Sequence, residues 1–252
     1  MTKFSANLGF LWSELALPDA IRAAKDAGFD AVECHFPYET PAAEVNDALA
    51  ETGLKMLGIN TIAGNSYGLA AMCGLESEAK AAIDQAVAYG SQIGAKHIHV
   101  MAGVANGEKA HQCFVTNLQY ATASASEVGI SILIEPLNPR DAPGYFLSST
   151  AQAAAIIAEL GAPNLKMMFD CYHVQLIEGN LTSRLKEFMP IIGHIQFASV
   201  PDRGPPNSGE INYSHIFQYI NDIGWNSPLG AEYRPNGDTA ASLDWLLELS
   251  AR

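Results

Sequence analysis

The pattern of apolar and polar positions repeats along the whole chain, and each repeat predicts a helix followed by a short strand. Apolar runs such as 31–36 and 165–170 begin a few residues after a glycine, and helical periodicity precedes each glycine. A glycine just past a helix end supplies the left-handed backbone that caps it. The glycines at these joins are Gly28, Gly53, Gly94, Gly129, Gly161, Gly193 and Gly224. Most lie about thirty residues apart, the length of one strand–helix unit.

Eight strands are predicted from this repeat and from the apolar run that opens the chain. Their ranges are 4–10, 31–36, 56–62, 97–102, 131–136, 165–170, 192–198 and 229–233. Strands that alternate with helices predict a parallel sheet, and eight units without a linker predict one (β/α)8 TIM barrel over residues 1–252. A doubly wound open sheet is the competing fold, but the turn after the first strand has no GxGxxG.

Composition and charge exclude several classes of partner. With 48% hydrophobic and 16% charged residues the chain has ample material for a core. A net charge of -13 and the lack of any Lys/Arg cluster argue against a nucleic-acid partner. The N-terminus lacks a clean apolar signal segment, and the uncharged stretch 56–75 is too rich in glycine and polar residues for a membrane helix. We therefore expect a cytoplasmic protein without a membrane partner; the oligomeric state stays open, a homo-oligomer included.

The four cysteines are Cys34, Cys73, Cys113 and Cys171. They lie far apart and form no CxxC pair, which suggests neither a zinc site nor a disulfide framework. We expect reduced thiols, as is usual in a cytosolic protein.

Polar residues end four consecutive predicted strands, where a TIM barrel carries its chemistry. They are Glu135, Asp170, Gln196 and Glu232. Carboxylates that share one barrel mouth repel each other, and a divalent cation compensates this repulsion. An all-oxygen set of ligands suits Mg²⁺ or Mn²⁺. The alternative for each residue is a separate salt-bridged or hydrogen-bonded core group, which is less convincing for four equivalent positions.

Histidines on the strands raise a related question. His194 and Gln196 share one face of their strand, so either both are hydrogen-bonded core groups or that face is not a core. We interpret Gln196 as a metal ligand through its amide oxygen and His194 as the residue that supports it. Glu33 with His35 fits a satisfied core pair better than a site. His97 and His99 are weaker candidates still.

Several segments resemble the hydroxypyruvate isomerase family of the xylose-isomerase-like barrels. They include "LIEPLNPRD", "FDCYHVQLIEGNLT", "GHIQFASVPDRGPPNSGEINY" and "GAEYRPNGDT", and the likeness extends to "SANLGFLW" and "GFDAVECHFPY" near the start. Related sugar 3-epimerases usually carry His where this chain has Gln196, so the HxQ form favours the hydroxypyruvate isomerase branch. This branch also contains 2-oxotetronate isomerases.

The resemblance implies a reaction and roles for individual residues. The expected reaction converts hydroxypyruvate to 2-hydroxy-3-oxopropanoate through an enediolate, with Glu135 and Glu232 as the acid/base pair and the four strand-end residues as metal ligands. Asp141 and His173 match positions that touch substrate hydroxyls in related epimerases. The sequence does not say which glutamate is the base.

The arginines add an observation that is independent of the family. The loops after strands five, seven and eight carry Arg140, Arg203 and Arg234. Arginine suits bidentate binding of a carboxylate, which favours a substrate that is a small keto acid, with Arg203 as the leading candidate. The alternative is that these arginines balance the charge of the strand-end acids.

Other functions remain to be compared with this one. A 2-oxotetronate isomerase or a ketose 3-epimerase acting on a sugar would use the same fold and ligands. An endonuclease-IV-like nuclease needs a histidine-rich zinc cluster and a basic DNA-binding face, which the charge opposes. A non-catalytic sugar-binding barrel would not require metal-held acids on both sides of its ligand.

Overall fold

The computed structural model describes residues 2–250, and its core is a ring of eight parallel strands. The strands are β1 (Phe4–Asn7), β2 (Ala31–Glu33), β3 (Gly58–Asn60), β4 (His97–His99), β5 (Ser131–Ile134), β6 (Leu165–Asp170), β7 (Ile192–Phe197) and β8 (Leu229–Ala231). Each of the eight predicted strands is therefore present, although most are shorter than their apolar runs. The apolar runs continue into the loops, where the backbone leaves the sheet.

Helices follow the strands and surround them. They are α1 (Leu17–Asp26), α2 (Ala42–Thr52), α3 (Glu76–Gln92), α4 (Gly107–Ser126), α5 (Thr150–Leu160), α6 (Cys171–Ile177), α7 (Leu181–Phe188), α8 (Tyr213–Asp222) and α9 (Asp244–Ser250). Short 3₁₀ turns span Pro37–Glu39, Met189–Ile191 and Ala240–Ser242. No helix within residues 2–250 has both the length and the apolar character needed to cross a bilayer.

The strand order closes the sheet into a barrel. The order is β2-β1-β8-β7-β6-β5-β4-β3, and every ladder is parallel. The two end strands meet through a parallel bridge between Val32 and Met56, where Leu57 N–H donates to Val32 O at 2.7 Å. The predicted TIM barrel is confirmed, and all strands deliver their C-terminal ends to the same mouth.

Alternation along each strand separates an apolar shell from a polar interior. On β7, Phe197 packs outward against Phe217 of α8 and Trp245 of α9, with ring centroids 4.8 and 5.4 Å apart. The residues between, His194 and Gln196, point into the barrel and are buried. The period of two thus lets one strand contribute to the hydrophobic core and to the interior site.

One predicted helix cap is wrong. Gly193 lies inside β7, because α7 ends earlier and a 3₁₀ turn leads into the strand. A Cβ at this position would come within 2.7 Å of Leu133 Cδ2 and of Lys166 Cβ. This glycine is therefore required by close packing between strands, whereas the other six glycines have the positive φ expected of a cap.

The expectation of four reduced cysteines is also wrong. Cys73 and Cys113 form a disulfide between the segment before α3 and the middle of α4, with their Cα atoms 5.9 Å apart. Only Cys34 and Cys171 are free, and both are buried. The pair escaped sequence analysis because 40 residues separate its members and only the packing of α3 against α4 makes them neighbours.

Candidate active site

A cavity of about 500 Å³ opens at the C-terminal ends of the strands. Five of the residues singled out from the sequence line it: Glu135, Asp141, His173, Arg203 and Glu232. The other two predicted residues, Asp170 and Gln196, are buried beside it on β6 and β7, paired in register. The structure thus brings the predicted residues to one end of the barrel.

Three buried oxygens in this region have no hydrogen-bond partner among the described residues. They are Glu135 Oε1, Asp170 Oδ2 and Gln196 Oε1. Leaving such an acceptor buried and unpaired costs about 1–3 kcal/mol, and more when it is charged. Ligand atoms of Glu135, Asp170, His173 and Glu232 lie within 4.8 Å of one another. Three carboxylates at this spacing, two of them with an orphaned oxygen, fit a hard divalent cation such as Mg²⁺ or Mn²⁺.

His173 is placed as a hydrogen-bond donor and not as a ligand. Its Nδ1 accepts the backbone N–H of Asn138 at 3.0 Å, so in the neutral ring the proton resides on Nε2. Burial, together with the charge of Arg203, lowers the pKa of His173 to about 3, which keeps the ring neutral. Its Nε2–H faces Asp170 Oδ2 at 3.7 Å. An all-oxygen set with Gln196 therefore fits the site better than one that includes this imidazole.

Gln196 is oriented by the carboxylate of Glu33. Its Nε2 donates to Glu33 Oε1 at 3.0 Å, and this bond leaves the amide oxygen without a partner. His194 Nε2 lies 2.5 Å from the other oxygen of Glu33. Asn7 Nδ2 donates to Glu33 Oε1 at 3.2 Å and to Glu232 Oε1 at 3.1 Å. The expected support of Gln196 by His194 thus runs through Glu33, which fixes the side of the amide that faces the site.

A glycine makes this arrangement possible. Gly230 of β8 pairs in register with Gln196, and its Cβ position is filled by the groups around Glu33. A Cβ at Gly230 would stand 2.5 Å from Glu33 Oε1, 2.8 Å from Gln196 Cγ and 2.9 Å from His194 Nε2. The absence of a side chain at Gly230 therefore leaves the space in which Glu33 contacts His194 and Gln196 of β7.

Glu232 is surrounded by donors. Arg203 Nη2 contacts its Oε2 at 2.5 Å, and His35 Nε2 lies 2.8 Å from its Oε1. Although burial alone raises the pKa of Glu232, the charge of Arg203 and the hydrogen bond with His35 outweigh it and hold the pKa below its usual value. This carboxylate is ionised.

Glu135 and Asp170 lie in the opposite electrostatic situation. Burial raises the pKa of Glu135 well above its usual value, and the charges of Glu232 and Asp170 raise it further. Burial also raises the pKa of Asp170 to about 8, against the opposing effect of Arg203. His99 Nδ1 stands 3.6 Å from Glu135 Oε2, and burial lowers the pKa of His99 to about 4, so this ring is neutral. Within residues 2–250, Arg203 is the only cation that forms an ion pair with these acids.

Arg203 lies between two aromatic rings above these acids. Its guanidinium carbon is 4.9 Å from the ring centroids of Phe10 and of Tyr172. Besides Glu232, it faces Asp170 Oδ2 at 3.6 Å and Asp141 Oδ2 at 3.7 Å. Asp141 thus sits beside the guanidinium at the cavity wall, held by the turn that Asn138 closes through its side chain.

Sequence reasoning missed several residues of this site. Asn7 was not considered, and His35 was interpreted as part of a core pair although it lines the cavity. His99 was ranked low and nevertheless forms part of the wall. The available signal was strand parity for His35, which shares the face of Glu33, and strand position for His99, which is the last residue of β4. Glu33 itself is the satisfied, buried group that the sequence suggested.

Comparisons with known proteins bear on this geometry. A family model described as xylose isomerase-like TIM barrel matches residues 21–249. The chain is 42% identical to the 2-oxo-tetronate isomerase of Cupriavidus necator, over 98% of both chains. It is 41% identical to the putative hydroxypyruvate isomerase of Homo sapiens, over 97% of this chain and 94% of that protein. A Brucella melitensis structure named AP endonuclease, family 2 superposes with a TM-score of 0.94 at 32% identity, over 98% of this chain and 99% of that one.

Proposed function

This chain belongs to the xylose isomerase-like TIM-barrel family, as its motifs indicated, and on that premise we propose that it interconverts hydroxypyruvate and 2-hydroxy-3-oxopropanoate. It is an isomerase, as its full-length curated relatives are. The observation that carries the proposal is that Glu135 and Glu232 line one cavity. Beside them lie the unpaired oxygens of Glu135, Asp170 and Gln196. Such a pair suits proton transfer between adjacent carbons of a small substrate.

A divalent ion, Mg²⁺ or Mn²⁺, belongs to this proposal. Glu135, Asp170, Gln196 and Glu232 would hold it, and the three orphaned oxygens among them support that assignment. When bound, the ion supplies Lewis-acid stabilisation of the oxygens that become negative in the enediolate. Its charge would also offset the burial and the repulsion that raise the pKa of Glu135 and of Asp170.

The chain's own residues then bind the substrate and move its proton. Glu135 and Glu232 directly follow β5 and β8 and line the same cavity, so one removes a proton and the other manages the second transfer. His173 presents its Nε2–H, a neutral donor suited to a substrate oxygen that gains negative charge. Asp141 lies at the same wall and accepts a hydrogen bond from a substrate hydroxyl. Leu137 and Met101 contribute apolar wall that excludes water.

A 2-oxotetronate isomerase is the second candidate. The relative from Cupriavidus necator carries that name, and a cavity of about 500 Å³ has room for more than a three-carbon acid. The two substrates share the reacting keto-acid group and differ in length, so the same residues would act on either. A nuclease is disfavoured because the net charge of -13 opposes binding of a polyanion.

The test uses protein stripped of metal with a chelator and then reloaded. We expect Mg²⁺ or Mn²⁺ to restore isomerisation of hydroxypyruvate or a 2-oxotetronate, with exchange of the transferred proton into D₂O. The ion should also stabilise the fold, by about 2.7 kcal/mol at a hundredfold excess over its Kd. Because protons compete for Asp170, this stabilisation should grow as the pH rises toward 8.

A salt control and a second class of substrate accompany this test. Addition of KCl to the same ionic strength controls for non-specific salt effects, and a ketohexose tests the epimerase alternative. Absence of both turnover and proton exchange with every ion and every acid would refute the proposed function. Turnover in thoroughly chelated protein would refute the metal requirement alone.

A further inference from the structure

We propose that Arg140 and Arg234 together bind the carboxylate of the substrate, whereas Arg203 balances the charge of the acids in the cavity. This assignment rests on the function proposed above. It identifies the two side chains that distinguish a keto acid from a neutral sugar of the same size. Three arginines line the cavity, and they differ in the partners that each of them already has.

Arg203 already forms ion pairs with acids of the site. Its terminal nitrogens face three carboxylates, those of Glu232, Asp170 and Asp141, at 2.5, 3.6 and 3.7 Å. Its side chain is buried between two aromatic rings. Only its Nε lacks a partner, and one N–H does not offer the two parallel hydrogen bonds that a carboxylate takes from an arginine. The charge of Arg203 is therefore compensated before an anion enters.

Arg140 and Arg234 differ from Arg203 in both respects. Neither guanidinium forms an ion pair with any carboxylate of the described part of the chain, although both line the same cavity. Arg140 donates a single long hydrogen bond, of 3.4 Å, to Pro201 O. The guanidinium carbon of Arg234 stands 6.0 Å from the ring centroid of Phe10. Balancing the strand-end acids therefore does not explain these two residues.

The backbones of both arginines are nevertheless held in place. The N–H of Arg140 donates to Asn138 Oδ1 at 3.0 Å, in the turn that also positions Asp141. The N–H of Arg234 donates to Arg203 O at 2.7 Å, which fastens the loop after β8 to the loop after β7. The exposed side chains thus extend from fixed points at the rim, which reduces the entropy lost when they bind an anion.

Their positions match the geometry of the reaction. Arg140 follows Glu135 in the loop after β5, and Arg234 follows Glu232 in the loop after β8. The guanidinium of Arg140 reaches Pro201 O in the loop after β7, and the loop of Arg234 is fastened to that same loop, so both arginines reach the rim beside it. A keto acid whose carboxylate is held at the rim directs its adjacent carbons inward, between Glu135 and Glu232.

The experiment uses the full-length protein with its divalent ion and the variants Arg140→Gln, Arg234→Gln and the double variant. The probes are glycerate and its neutral amide, glyceramide, in direct binding titrations, and hydroxypyruvate against dihydroxyacetone in kinetics. We expect each single variant to weaken glycerate binding about tenfold, and the double variant more, because a hydrogen bond to a charged group is lost. Glyceramide affinity should stay within about twofold.

Further readouts separate this role from a structural one. KM for hydroxypyruvate should rise while kcat changes less, and the lysine variants should recover part of the loss because they keep the charge. Raising the salt concentration should weaken glycerate binding in the unmodified protein and less in the double variant. Arg22→Gln is the matched control, because it removes one charge far from the cavity, where Arg22 pairs with Asp19 and Glu51.

Two results would overturn the proposal. One is unchanged glycerate affinity in the double variant; the other is an equal loss for glycerate and glyceramide. Specific loss of glycerate binding in Arg203→Ala, without any loss of metal affinity, would move the role back to Arg203. If the unmodified protein isomerises no keto acid, the proposed function fails, but the glycerate titrations still decide whether these arginines bind a carboxylate.

Discussion

Two polar clusters of similar composition lie inside the same barrel and differ in how fully their groups are paired. The paired cluster consists of Asn7, Glu33, His194 and the amide nitrogen of Gln196, in which Glu33 accepts three hydrogen bonds of 2.5 to 3.2 Å. The open cluster consists of His99, Glu135, Asp170 and the amide oxygen of Gln196. Each of its members has at least one buried polar atom without a partner.

Burial is equal in the two clusters, so burial alone does not indicate function. A buried carboxylate that accepts hydrogen bonds from three neighbours is stabilised by them and holds them in place. A buried carboxylate that faces other carboxylates is destabilised until a cation or a substrate compensates it. Since Gln196 contributes its nitrogen to one cluster and its oxygen to the other, the paired cluster acts as the support of the open one.

The largest expected effect comes from Glu135→Gln in the open cluster. The substitution keeps the shape and removes the group proposed to transfer a proton, so kcat should fall by about 10²–10⁴-fold. The ion-free protein should be no less stable than before, because a repelling charge is lost. Steady-state kinetics and urea unfolding measure the two quantities. Retained turnover would contradict the role of Glu135.

Next in size is the same change in the paired cluster, Glu33→Gln. An amide nitrogen would face the donors of His194, Gln196 or Asn7, so one hydrogen bond is replaced by a buried unpaired group. We expect a loss of about 1–3 kcal/mol in the free energy of unfolding. Glu135→Gln serves as the matched control. Equal stability losses in the two variants would erase the distinction between the clusters.

An effect similar in size to that of Glu33→Gln is expected from Gly230→Ala. The added methyl group meets Glu33, Gln196 and His194 at less than 3.0 Å, so the paired cluster must shift, at about 1–3 kcal/mol. Affinity for the divalent ion, measured by titration, should weaken because the orientation of Gln196 changes. Gly58→Ala in β3 is the control, since its nearest atom lies 3.9 Å away. Similar behaviour of both alanine variants would show that Gly230 does not support the site.

Several features of the site followed from the sequence by local rules. Apolar alternation located every strand, and the barrel then placed Glu135, Asp170, Gln196 and Glu232 at one end. Strand parity also put His194 on the face of Gln196. The same rules put His35 on the face of Glu33 but did not predict that His35 and Asn7 contact Glu232, because these contacts join residues 197 and 225 positions apart.

The sequence by itself determined the kind of fold and the residues that face its interior, because strand length, helix caps and the two-residue period are set by near neighbours along the chain. Only the tertiary structure decided which polar group is paired and which is open. Glu33 contacts His194, which lies 161 residues away along the chain. Arg203 pairs with Glu232 and is therefore not free to bind the carboxylate of a substrate. Such pairings depend on the relative positions of loops and strands that are distant along the chain, and these positions are fixed only once the barrel closes.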